Sequence, residues 1–216
     1  MINPPNEPTT EPIKTLSPEN KQIIENRFQA QISNLRKDAE IFPKQVLQIL
    51  AKADSLSEPT LHDNITSSKS EVLESTFTSI SHTLSIQEAA IALTRFTREN
   101  QNQTGILYVD SAITCLSSNL DRRKKSDEPF ILSPEETEAI AGFIGGLQEM
   151  LPRIKTKGGQ KAESYLISSL HSLLNKHKEL APLATNLVGD LLQSGFSDNL
   201  DAAFSIVRDT LPIQEA

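Results

Sequence analysis

A chain of 216 residues is long enough for one large domain or two small ones, and its net charge of −7 lacks the basic footprint of a nucleic-acid-binding protein. The charge is −1 over residues 1–16, −2 over 17–132 and −4 over 133–216, so an acidic surface favours solubility or a basic partner. Cys115 is the single cysteine, which excludes an internal disulfide and fits a reducing compartment.

The first residues lack the charged and apolar regions of a secretory signal. The longest uncharged apolar run, 139–147, is far shorter than the roughly 20 residues of a membrane span. We therefore expect a soluble, cytoplasmic protein with no membrane span. Residues 1–16 contain four prolines and few apolar side chains, so they are predicted to form a disordered N-terminal tail.

Apolar residues at helical spacing predict five helices between residues 17 and 120. The first begins at the cap residue Ser17 and ends or kinks at Pro43, and a short second helix follows. Residues 54–68 are polar and without periodicity, which predicts a loop. A third helix is centred on 72–80, a fourth begins at the capping box of Ser85, and a fifth runs to residue 120.

Residues 121–132 are predicted to be a charged linker loop, and four more helices are predicted over 133–211. Another capping box begins the sixth helix at Ser133. Gly158 and Gly159 break the chain before the seventh, Pro182 opens the eighth, and the ninth covers 197–211. Residues 212–216 are a C-terminal tail.

These elements predict an all-α fold, an irregular bundle of about nine helices. The sequence Leu-Ser-Pro-Glu occurs at 16–19 and again at 132–135, which hints at two helical halves, 17–120 and 133–211. The alternative, which we favour, is that Ser-Pro-Glu is simply a common start of a helix. An α-solenoid-like stacking of helices is the runner-up, although no regular repeat period is present.

The segment 139–147 of the sixth helix has no charged or strongly polar side chain. We expect it to be the most buried continuous segment, contacted by several helices. Gly142 and Gly146 lie four residues apart on one face, where they would let another helix cross closely. The alternative is that this bare face receives a partner.

The densest basic run is Arg122, Arg123, Lys124 and Lys125, a candidate contact for an anion or a partner, although acidic residues flank it. The histidines His62, His82, His171 and His177 form no zinc pattern. Cys115 is interpreted as a small apolar residue rather than a nucleophile. No catalytic, cofactor-binding or metal-binding residue is predicted, and no cofactor is expected.

Three hypotheses of function follow from these patterns. The first is a non-enzymatic protein-interaction module, an adaptor or scaffold, because amphipathic helices are abundant and no catalytic motif is found. The second is a bacterial secreted effector, or a secretion-associated protein, in which residues 1–16 are an uncleaved export signal. The third is an all-α enzyme whose site is assembled from separated helices. The sequence names neither the partner protein nor the oligomeric state.

Overall fold

The computed structural model describes residues 18–41, 43–53, 62–99, 106, 108–124 and 130–193, which form eight α-helices and no strand. In chain order the helices are α1 (Pro18–Ile41), α2 (Pro43–Ala53), α3 (His62–Thr83), α4 (Ile86–Glu99), α5 (Val109–Arg123), α6 (Pro134–Arg153), α7 (Gly159–Lys176) and α8 (Ala181–Gln193). A π-helical turn (Ile154–Gly158) joins α6 to α7, and a 3-10 turn (Lys178–Leu180) joins α7 to α8.

The all-α prediction is confirmed, with eight helices in the described ranges where about nine were expected. The predicted ninth helix, over 197–211, lies outside the described residues, as do the predicted tails at 1–16 and 212–216.

Two helix starts follow directly from local sequence. The Ser133 hydroxyl accepts a hydrogen bond from the Glu136 amide at 3.2 Å, and Glu136 Oε2 accepts one from the Ser133 amide at 2.9 Å. Ser85 and Glu88 make the same reciprocal pair at the start of α4, with both distances 3.3 Å. Each box satisfies two amides that a helix N-terminus leaves unpaired, so both predicted capping boxes are confirmed.

Several boundaries differ from those predicted. Helix α3 begins at His62, so the predicted loop over 54–68 is wrong for its last seven residues. Residues 62–68 contain no proline or glycine, and extending the amphipathic helix that follows costs little once it has formed. Helix α5 likewise continues to Arg123, into the predicted linker. Helix α7 begins as early as Gly159, whose φ of 65° lies in the left-handed region that glycine tolerates.

The core is built around the packing of α4 against α6. Helix α3 packs on α1, α2 and α5, helix α5 also packs on α7, and α6 also packs on α8. The buried side chains form one cluster that includes Phe96 of α4, Leu116 of α5, Phe143 of α6 and Leu187 of α8. Apolar residues of both predicted halves therefore share one core, and the division into halves stays a prediction.

The predicted burial of 139–147 is wrong in part. Five of its nine residues are buried, whereas Ala141 is exposed, and seven of nine are buried over 112–120 in α5. Alanine and glycine carry little apolar surface, so leaving them on an outward face costs little free energy. Helix α5 is the more deeply enclosed because it packs against α3, α4 and α7.

Candidate functional site

The basic run at the end of α5 makes contacts within the chain. Arg122 Nη2 donates to the Leu84 carbonyl at 2.5 Å, just after α3 ends, and Lys124 Nζ donates to the Lys176 carbonyl at 3.1 Å, where α7 ends. Cations are favourable there because the last carbonyls of a helix are unpaired and carry partial negative charge. Lys125 lies outside the described residues, and an anion or partner contact of the run stays a prediction.

Arg123 holds the extended segment, which we define as residues 130–133. Its Nη2 donates to the Ile131 carbonyl at 3.2 Å, and its guanidinium carbon lies 5.6 Å from the centroid of the Phe130 ring. The same guanidinium pairs with the Glu136 carboxylate. A cation stacked on an aromatic ring and bound to a carbonyl and a carboxylate fixes the course of the extended segment.

The extended segment and the start of α8 enclose the apolar groove, a cavity of about 340 Å³. Its lining is Phe130, Ile131, Leu132, Thr137, Glu179, Pro182 and Leu183. Ile131, which lines the cavity, is 72% exposed. The groove therefore presents apolar surface to solvent, with the Glu179 carboxylate as its ionisable group.

The groove has one carboxylate in its lining. The segments that supply the lining, residues 130–137 and 179–183, contain Glu135, Glu136 and Glu179 and no lysine or arginine. Glu136 pairs with Arg123, which also stacks on Phe130, and the exposed Lys178 precedes Glu179. Glu179, at the groove itself, favours a cationic group in the ligand.

His177 lies directly behind the groove. Its side chain is fully buried, and its ring centroid is 6.2 Å from that of Phe130. Nδ1 is 3.3 Å from Glu179 Oε1, and Nε2 is 3.2 Å from Asp121 Oδ1 at an angle that makes no hydrogen bond. Lys176 Nζ donates to the other Asp121 oxygen at 3.3 Å. Sequence reasoning missed this cluster, because the pattern around His177 reveals only Glu179.

The two candidate glycines lie at the crossing of α4 and α6. A Cβ atom on Gly146 would lie 2.5 Å from Thr97 Oγ1, closer than van der Waals contact allows. A Cβ atom on Gly142 would meet Thr94 Oγ1 at an ordinary 3.8 Å. The structure therefore places α4 against the face that could have received a partner, most tightly at Gly146.

Cys115 lies inside the core on α5. Its thiol donates to the Phe77 carbonyl at 3.2 Å, and burial raises the pKa of the thiol to about 12. A thiol with so high a pKa is not ionised at neutral pH, so it is a poor nucleophile. Within the described ranges, no three His, Cys, Asp or Glu residues are grouped so that they could hold a metal ion.

A second, smaller cavity of about 170 Å³ lies between α2 and α4. It is lined in part by Leu47, Ile91 and Phe96, and Lys44 pairs with Glu88 at 2.7 Å across its edge. Ile91 is 42% exposed, so this cavity also presents an apolar edge, but it has half the volume of the apolar groove.

The apolar groove can bind a side chain, and its carboxylate can pair with a cation. Among the described helices, none is both long enough and apolar enough to cross a bilayer. Comparisons of the chain with protein-family models, curated proteins and solved structures find no match.

Proposed function

We propose that this chain is a protein-interaction module whose apolar groove binds a basic segment of a partner protein. The observation that carries the proposal is the exposure of Ile131 beside a cavity lined by apolar side chains. Covering this surface with a partner would remove it from water, a gain of about 25 cal/mol for each Å² of apolar area. An adaptor or scaffold role fits this kind of surface.

The size of the groove indicates what enters it. A volume of about 340 Å³ is near the lower end of the roughly 300–1,000 Å³ of typical ligand pockets. Such a space suits one large apolar side chain together with the backbone on either side of it. Interfaces commonly obtain most of their binding free energy from one or a few anchors of this kind.

The charge of the surroundings indicates what flanks that side chain. The segments that line the groove, residues 130–137 and 179–183, contain three carboxylates and no lysine or arginine, and Glu179 lines the groove itself. Lysine or arginine residues on either side of the anchor would be attracted to this face, which would speed association and select the partner.

Selection from a library of random peptides on the immobilised chain tests the proposal. We expect enrichment of segments in which one Leu, Ile or Phe is flanked by Lys or Arg. The substitution Ile131→Ser should weaken their binding by about tenfold or more, as loss of a buried anchor contact does. Ile91→Ser is the matched control, because it changes an exposed isoleucine beside the cavity between α2 and α4.

Two results would contradict the proposal. Enriched peptides that bind the Ile131→Ser variant as tightly as the native chain would show that the groove is not the binding surface. A dimer that dissociates on Ile131→Ser in sedimentation experiments would show that a second copy of this chain occupies the groove.

A further inference from the structure

We infer that His177 is a proton switch for the apolar groove: protonation of its ring balances the charge of Glu179, and a basic partner then binds more weakly as the pH falls. This inference rests on the proposed function and adds its regulation. The observation behind it is that His177 is enclosed behind the groove, while Glu179, which it contacts, lines the groove.

The geometry gives the two protonation states different partners. A neutral imidazole donates a hydrogen bond from one nitrogen and accepts at the other. Carboxylate oxygens lie 3.3 Å from Nδ1 and 3.2 Å from Nε2, so one of them lies beside an unprotonated nitrogen when the ring is neutral. Adding a proton gives the ring two donors and a positive charge, placed between Glu179 and Asp121.

The charged groups around the ring decide which carboxylate changes most. From α5, Asp121 faces Nε2, and Lys124 binds the Lys176 carbonyl. From α7, Lys176 already pairs with Asp121, so Asp121 has a cation in both states. The 3-10 turn contributes Glu179 and the exposed Lys178, and the extended segment contributes Phe130, with Arg123 stacked on its ring.

Glu179 differs from Asp121 in the cation with which it pairs. In the part of the chain that the structure describes, its ion pair is with His177, and its side chain is 27% exposed at the groove. With a neutral ring, the carboxylate charge is therefore available to a cation in the groove. With a protonated ring, His177 balances that charge.

A pair of synthetic peptides tests the switch by calorimetry at about pH 7.5 and pH 5.5. One peptide has a leucine flanked by lysines, and the other has the same leucine flanked by glutamines. We expect the lysine peptide to bind about two- to fivefold more weakly at the lower pH, the effect of one exposed ion pair. The glutamine peptide should bind equally at both.

Three variants test whether the pH dependence of binding comes from His177 and Glu179. His177→Gln should abolish the pH dependence, and Glu179→Gln should do so with less risk to folding because that residue is partly exposed. His82→Gln, a change at an exposed histidine on α3, should leave the pH dependence intact. Circular dichroism of each variant checks that it is folded.

The outcomes distinguish a failure of the proton switch from a failure of the proposed function. If the lysine peptide binds, is sensitive to Ile131→Ser, and has the same affinity at both pH values, the switch is wrong and the proposed function stands. The same conclusion follows if the pH dependence persists in Glu179→Gln. If neither peptide binds in a way that depends on Ile131 at either pH, the proposed function fails and the switch fails with it.

Discussion

Adding a methyl group at Gly146 tests the close crossing of α4 and α6. The new Cβ would lie 2.5 Å from Thr97 Oγ1 and 3.6 Å from Thr97 Cβ. Thr97 cannot move away freely, because it is 1% exposed and its hydroxyl donates to the Thr94 carbonyl at 2.9 Å. Either the helices separate or Thr97 changes rotamer and loses that hydrogen bond.

Two opposing effects set the magnitude for Gly146→Ala. Alanine is about 1 kcal/mol better than glycine inside a helix. Overpacking a well-filled core costs about 1–3 kcal/mol, and the lost hydrogen bond about 1 kcal/mol more. We expect a net loss of about 1–3 kcal/mol in the free energy of unfolding, and a larger loss for Gly146→Leu.

Urea unfolding followed by circular dichroism measures the change, and Gly145→Ala is the matched control. A Cβ atom on Gly145 would meet nothing within 4 Å, so this variant should gain about 0.5–1 kcal/mol from helix propensity alone. Thr97→Ala combined with Gly146→Ala should recover most of the loss, because the nearest clashing atom is removed. Equal stability of Gly145→Ala and Gly146→Ala would refute the close crossing.

Three further predictions concern polar groups in or near the core. Burial raises the pKa of the Cys115 thiol to about 12, so the thiol of the unfolded chain ionises first as the pH rises above 9.0. Alkaline pH should therefore lower the free energy of unfolding. Thiol reagents should label the native protein slowly and the urea-unfolded protein at once. Asn119→Ala should lower the free energy of unfolding in urea by about 1–3 kcal/mol, because the buried Asn119 amide donates to the Leu84 carbonyl at 2.9 Å. A loss under about 0.5 kcal/mol would contradict this prediction. The hydrogen bond from Lys44 lowers the pKa of Glu88 below 4.5, so its stabilising effect should be present above pH 4.5 and lost as the pH falls through the lowered value. Comparing Glu88→Gln with the native chain from about pH 7 to pH 3 should show a difference well under 1 kcal/mol that vanishes in acid, because the pair is exposed.

The parts of the fold that sequence predicts are those with a local cause. Ser85 and Ser133 each precede a glutamate by three residues, and both begin helices as the capping boxes require. His62 has no comparable signal, so the start of α3 was missed. Ala141 shows a different limit, since an uncharged side chain is compatible with burial but does not require it.

The candidate site depends on contacts between distant residues, which one sequence does not reveal. Four cations in a row indicate a charged loop, yet Arg122 and Lys124 reach carbonyls at the ends of α3 and α7. His177 likewise obtains its second carboxylate, Asp121, from another helix. The effector hypothesis rests on residues 1–16, outside the described residues, and like the enzyme hypothesis it stays a prediction.

The apolar groove depends on the predicted linker, residues 121–132, as well as on the second predicted half. Its walls and floor come from residues 130–137 and 179–183, but Arg123 of α5 holds the extended segment in place, and Asp121 of α5 faces His177 behind it. Separating α5 from α7 would therefore remove the support for Phe130 and Ile131 and expose His177 to water. Under the proposed function, a partner bound in the groove would stabilise the packing of α5 around the site, because any ligand that binds only the intact site favours the state that contains it. Under the proposed function, partner binding and the packing of α5 on α7 are therefore thermodynamically linked, and each shifts the other.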